Sequence, residues 1–182
     1  MEDQFRKDRL SEINDRGEIS LPIGHYSIVN LKSNKNFHPN IVINGLGSCI
    51  ALILIDKINK VFGMTHILLP SYDILYNKSP LRYPHKYADR AVIDLITQLE
   101  KEGAKKNNLK AIIIGGSKIF QNHHNNIGCE NAEMVKKELH KYQIEILKED
   151  IGGNSGRSVI FKTKLTSVLV RGTRQEKYKK IF

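Results

Sequence analysis

The sequence predicts an α+β fold, with two helices packed outside mixed or antiparallel sheets, and three observations lead there. Short stretches rich in β-branched residues recur along the chain, while only two segments carry a helical period. A length of 182 residues with 40% apolar content fits one globular domain with its own core. No internal repeat or low-complexity segment breaks the pattern.

Taken in order, residues 1–20 show no sustained apolar periodicity and read as a flexible or weakly helical extension. The folded domain is expected over residues 21–171, with a basic tail over 172–182. His25 to Val29 is the first strand, and Leu31 to Asn40 is a polar loop before the apolar segment Ile41 to Ile55. Within that segment Cys49 to Ile55 is apolar on both alternating faces, as in a strand covered on both sides. Val61 to Leu69 follows the turn-like Asp56 to Lys60, so the two strands form a hairpin. Residues 71–86 carry two prolines and little periodicity, a long loop suited to bordering a site.

From Tyr87 onward, Ala88, Ala91, Val92, Leu95, Ile96 and Leu99 recur at helical spacing, and Gly103 marks the stop. A second helix is expected from Asn131 to Tyr142, with Asn131 as N-cap and Ala132, Val135, Leu139 and Tyr142 on its buried face. Lys110 to Ile114, Gln143 to Leu147, Ser158 to Lys162 and Ser167 to Arg171 complete the strands.

Composition narrows the function classes. No apolar run approaches the ~20 residues of a membrane helix and the first twenty residues are charged, which predicts a cytoplasmic protein without membrane insertion. Cys49 and Cys129 form neither a disulfide framework nor a zinc spacing, so reduced thiols are expected. His123 and His124 lie in an asparagine-rich loop lacking a clear ligand set, and no metal is expected. The net charge is +10, and because residues 1–20 hold six acids against four bases, the remainder carries +12 and favours acidic partners. The basic residues are scattered and aromatic content is 7%, without a helix-turn-helix or RNA-binding signature, which argues against nucleic acid. Gly115-Gly116-Ser117 lacks the lysine and spacing of a phosphate loop and reads as a packed turn.

The chemistry gathers around Asn44-Gly45-Leu46-Gly47-Ser48-Cys49, a thiol placed after a glycine-bearing loop at the start of a buried strand. Glycines let a substrate carbonyl approach the main chain, whose N–H groups suit an oxyanion. If residues 57–60 form a four-residue turn, Asp56 pairs with Val61 and Ala51 faces His66. Cys49 is then diagonal to His66 on one face, ~7–8 Å apart at the backbone. One residue more or fewer in the turn sends His66 to the opposite face. Taken singly, a free cysteine is by default a small buried hydrophobe, and a lone histidine a core or rim residue.

The segments LGSCIALILID and GMTHILLP, joined by a short turn, resemble the paired signature of the chemoreceptor glutamine deamidase family, CheD. Lys86-Tyr87-Ala88-Asp89, Gly115-Gly116-Ser117, Ile127-Gly128 followed by Asn131, and Asp150-Ile151-Gly152-Gly153-Asn154-Ser155-Gly156-Arg157 continue the match in order. The resemblance covers residues 25–171. It implies a layered sandwich of mixed β-sheets flanked by helices, related to the catalytic domain of cytotoxic necrotizing toxins. It implies Cys49 as nucleophile and His66 as base, with no cofactor, acting on glutamines of chemotaxis receptors. Gly47 and Ser48, with Asn44, are implied around the oxyanion and substrate. The family's third residue, a threonine six positions before the cysteine, is replaced by Ile43, which has no side-chain acceptor. The related toxins imply a main-chain carbonyl instead, here that of Ile43, with Asn44 or Ser48 as substitutes. The resemblance also implies a CheC-type phosphatase as a partner; a monomer in transient complexes is the default expectation. A weakly active or inactive regulator binding that phosphatase is the alternative reading.

Overall fold

A computed structural model of the protein describes residues 16–33, 38–72, 83–119 and 126–182. Its strands are β1 (Glu18–Ser20), β2 (Tyr26–Asn30), β3 (Asn40–Leu46), β4 (Ile50–Asp56), β5 (Val61–Ile67), β6 (Lys110–Gly115), β7 (Glu145–Ile151), β8 (Arg157–Lys162), β9 (Ser167–Gly172) and β10 (Lys179–Lys180). The two α-helices among the described residues are α1 (Ala88–Lys101) and α2 (Ile127–Lys141). One sheet runs β1-β3-β8-β9-β10 and the other β2-β5-β4-β6-β7. Pairing is antiparallel except for β1 with β3 and β6 with β7, so both sheets are mixed.

Alternation along β4 explains the layers. Ile50, Leu52 and Leu54 face α1 and α2, joined by Val92, Leu95, Leu99, Val135 and Leu139. Ala51, Ile53 and Ile55 face the other way and meet Ile41, Ile43, Val159 and Phe161 of the first sheet. The strand is buried on both faces, which is why its sequence is apolar throughout. The result is a helix layer, a central sheet and an outer sheet, the layered α+β sandwich expected.

The helical periods mark α1 well, and Gly103, with φ +95°, lies just beyond its last turn. In α2 the expectation fails at the start. The helix begins four residues earlier, capped by Asn126, whose side chain accepts from the Cys129 N–H, and Asn131 is a fully buried residue of the second turn. Gly128, a poor helix former, hid that first turn from the periodic pattern.

The sheet also takes up residues outside the expected 21–171 range. Glu18–Ser20 pairs with Asn40–Val42, and Lys179–Lys180 pairs with Leu169 and Val170. Ile181 and Phe182 pack against the core between the sheets. Two or three residues at a sheet edge are too few for periodicity to show. Of the loop expected over 71–86, residues 73–82 lie outside the described residues, as does most of the 1–20 extension.

The hairpin register rests on Asp56. This buried carboxylate accepts from the N–H and side-chain amide of Asn59 at 2.9 and 2.8 Å, and from the N–H of Lys105 at 2.8 Å. Burial raises the carboxyl's pKa, but those donors outweigh it and hold the group below its ordinary value of 3.8. Asp56→Ala is expected to cost about 2 kcal/mol, or roughly 4–8 °C in Tm by thermal denaturation near neutral pH. A depressed folded-state pKa gives stability that is present above the unfolded value and lost as pH falls through the folded one. The difference between wild type and variant therefore narrows below pH 3.8.

Candidate active site

β4 and β5 pair with Asp56 opposite Val61 and Ala51 opposite His66, the register reasoned from the turn length. Successive residues alternate faces, so Cys49, Ala51 and His66 all project toward the outer sheet. Cys49 packs with Ile43, Leu46, Ala51 and Ile114 and is 8% exposed, while His66 is 6% exposed. The structure thus brings the two sequence-selected side chains to one face at diagonal positions.

His66 is oriented by a carbonyl, but not the one expected. Its Nδ1–H donates to Leu21 O at 3.1 Å. Ile43 instead buries its side chain between the sheets, within a strand paired to β8 at Val159. Leu21 reaches the imidazole because its own N–H donates to Val42 O at 2.9 Å, which carries the chain from β1 along β3. Pro22 favours extended backbone at Leu21. The following turn then returns to His66, with Gly24 N–H donating to His66 O at 2.8 Å and His66 N–H to His25 O at 3.0 Å. The sequence signal for this turn is Pro22-Ile23-Gly24, with Gly24 at φ +75°.

A carbonyl oxygen only accepts, so Nδ1 carries the proton and Nε2 has a free lone pair. Nε2 is buried and has no hydrogen-bond partner among the described residues. Burial lowers the His66 pKa from its ordinary 6.5, the Leu21 bond opposes this, and the charge of His25 adds to the lowering. Burial likewise pushes the Cys49 thiol above 9.0, with its own backbone N–H pulling the other way. Both groups therefore rest neutral at pH 7, a thiol and a base on the same face of the sheet with no hydrogen bond between them.

The loop before β4 is held by its carbonyls. Gly47 O accepts from Ser117 N–H at 2.9 Å, Ser48 O from the Asn131 side chain at 2.9 Å, and Cys49 O from Gly116 N–H at 2.9 Å. In a planar trans peptide the N–H opposes the preceding carbonyl, so the N–H groups of Ser48 and Cys49 point away from Ser117 and Asn131. Asn44 stands apart as an exposed residue of the β3 bulge between Ile43 and Leu46.

Ser117 and Arg157 brace this loop from behind. Ser117 Oγ bonds to Gly152 O and Ser155 O, and Arg157 donates to Asp150, Gly152 O and Ser117 Oγ. Arg157 opens β8 of the outer sheet and Ser117 follows β6 of the central sheet, so the cluster joins the layers next to the thiol. The packed turn expected at Gly115-Gly116-Ser117 serves this purpose. Of the rejected metal candidates, Cys129 is exposed at the start of α2, and His123 and His124 lie outside the described residues.

The family model described as CheD chemotactic sensory transduction matches residues 68–172. The Chemoreceptor glutamine deamidase CheD of Thermotoga maritima is 41% identical over 150 residues, covering 82% of this chain and 88% of that one. The protein of the same name from Halalkalibacterium halodurans is 42% identical over 135 residues, covering 72% and 82% respectively.

Two glycines near the thiol, one ending β6 and one in the loop before β4, respond differently to a methyl group. At Gly115, with φ +117°, an added Cβ lies 2.1 Å from Cys49 O, a backbone atom that cannot swing aside. At Gly47 the obstacle is the end of the exposed Ile119 side chain, which can swing aside. Gly115→Ala is therefore expected to lose more than the ~1–3 kcal/mol of left-handed strain alone, and Gly47→Ala less than ~1 kcal/mol, by denaturant titration.

Proposed function

Because this chain belongs to the CheD family, we propose that it is a chemoreceptor glutamine deamidase in which Cys49 is the nucleophile and His66 the general base and acid. The observation that carries this reading is the shared face of Cys49 and His66, with Nδ1 tied to Leu21 O and Nε2 left basic.

Cys49 Sγ attacks the side-chain amide carbon of a receptor glutamine as its proton passes to His66 Nε2. Because burial disfavours both charged forms, proton transfer accompanies attack. The N–H groups of Ser48 and Cys49 hold the oxyanion. His66 returns the proton to the departing nitrogen, ammonia leaves, and a thioester remains. Water deprotonated by His66 attacks that thioester, releasing glutamate and regenerating the thiol. Every step balances without a metal or organic cofactor.

The regulator alternative drew its strength from Ile43, which lacks a side-chain acceptor. With Leu21 O as the acceptor, the imidazole needs no side-chain partner at Ile43. Association with a CheC-type phosphatase remains part of the proposal, with the chain acting as a cytoplasmic monomer in transient complexes. No helix among the described residues is long and apolar enough to cross a membrane.

The test is peptide mass spectrometry of a chemoreceptor cytoplasmic fragment incubated with wild type or Cys49→Ala, seeking the ~1 Da gain of glutamine to glutamate. Wild type is expected to convert defined glutamines and the variant none; conversion by both, or by neither with bound receptor, contradicts the reading. The pH profile of kcat/KM is expected to stay level from below 6.5 to above 9.0, since His66 must be neutral to accept a proton and the thiol ionises late. A bell confined between those values contradicts it.

A further inference from the structure

We infer that Asn131 is a positioning residue of this site, clipping the nucleophile loop to the strand end that follows His66. Its activity arm rests on the deamidase reading above; its structural arm does not. Asn131 is fully buried in the second turn of α2. Its Nδ2 donates to Ser48 O and to Leu68 O, each at 2.9 Å. One acceptor precedes the nucleophile and the other lies two residues past the histidine. Both acceptors are carbonyls, so the amide must turn its NH2 end toward them.

The β4–β5 ladder ends with Ile50 opposite Ile67. Cys49 lies beyond that last pair, where strand pairing no longer fixes its distance from β5. The two donors of Asn131 bridge the strands there and replace the missing rung. Packing alone does not account for the residue. Its Oδ1 is buried without a partner among the described residues, and an unmet buried acceptor costs about 1–3 kcal/mol. An apolar side chain of similar volume fills the space without that cost, so the contribution specific to asparagine is the pair of donors. Freeing the loop leaves the position of Sγ relative to Nε2 unfixed, and a shift of ~1 Å in a reacting pair is enough for a ~10²-fold loss.

The experiment compares wild type with Asn131→Ala and Asn131→Leu, the second retaining volume. Glutamine deamidation is followed for kcat and KM, and Cys49 alkylation by iodoacetamide is followed across pH. The expected result is a kcat at least tenfold lower with KM within twofold. In parallel, the pH at which alkylation rises moves from below 6.5 in wild type to above 9.0 in the variants, as the thiol loses its base. A cooperatively folding variant with wild-type kcat and an unshifted alkylation profile overturns the inference, because a merely structural role lowers Tm without moving that profile. Should wild type fail to deamidate receptor, the functional proposal falls and the alkylation arm alone judges Asn131. Should neither variant fold, NMR of the wild-type side chain decides. Slowly exchanging Asn131 amide protons that shift when Cys49 is alkylated support the clip; rapidly exchanging ones overturn it.

Discussion

The parity of one hairpin governs this molecule. A four-residue turn between Asp56 and Val61 sets the β4–β5 register, and because side chains alternate at every residue, that register alone decides whether Cys49 and His66 share a face. The same alternation sends Ile50, Leu52 and Leu54 to the helices and Ala51, Ile53 and Ile55 to the outer sheet. A slip of one residue would reverse both core faces together with the dyad. The apolar layers and the chemistry are thus fixed by one constraint, and the carboxylate of Asp56, satisfied by Asn59 and Lys105, holds it at its origin.

What the register does not supply comes from segments distant in sequence. Leu21 fixes the imidazole tautomer, Asn131 and Ser117 hold the loop carbonyls, and Arg157 ties that brace to the outer sheet. The contacts at Leu21, Gly47 and Ser48 use main-chain carbonyls as acceptors, so the geometry is insensitive to which side chain stands at positions 21, 47 or 48. The imidazole's acceptor is thus backbone from a neighbouring strand extension, and no side-chain acceptor is required at Ile43. It also leaves Cys49 and His66 in an apolar layer, where burial disfavours the charged form of each.

The sequence was legible where periodicity acts over many residues. α1, the β4–β5 hairpin and its register, and β6, β8 and β9 follow from apolar spacing, whereas the strand expected over Gln143 to Leu147 runs from Glu145 to Ile151; the shared face of Cys49 and His66 follows from the register. The edge strands Glu18–Ser20 and Lys179–Lys180 were not legible, because two or three residues cannot display a period. The start of α2 was obscured by Gly128, which led to Asn131 being read as a cap when it is a buried clip. The carbonyl of Leu21 was missed for a different reason: a backbone acceptor has no residue-type signature, and only the Pro22-Ile23-Gly24 turn hinted that the chain bends back toward His66 there.

Chemical competence in this account turns on which imidazole nitrogen holds the proton, since only a bare Nε2 can take one from Cys49. Long-range proton–nitrogen NMR of the histidine side chains at pH 7 reads this directly. The account predicts a neutral His66 protonated at Nδ1, with Nε2 showing the shift of an unprotonated nitrogen that changes when Cys49 is alkylated. A His66 protonated at Nε2, or carrying both protons at pH 7, would contradict it.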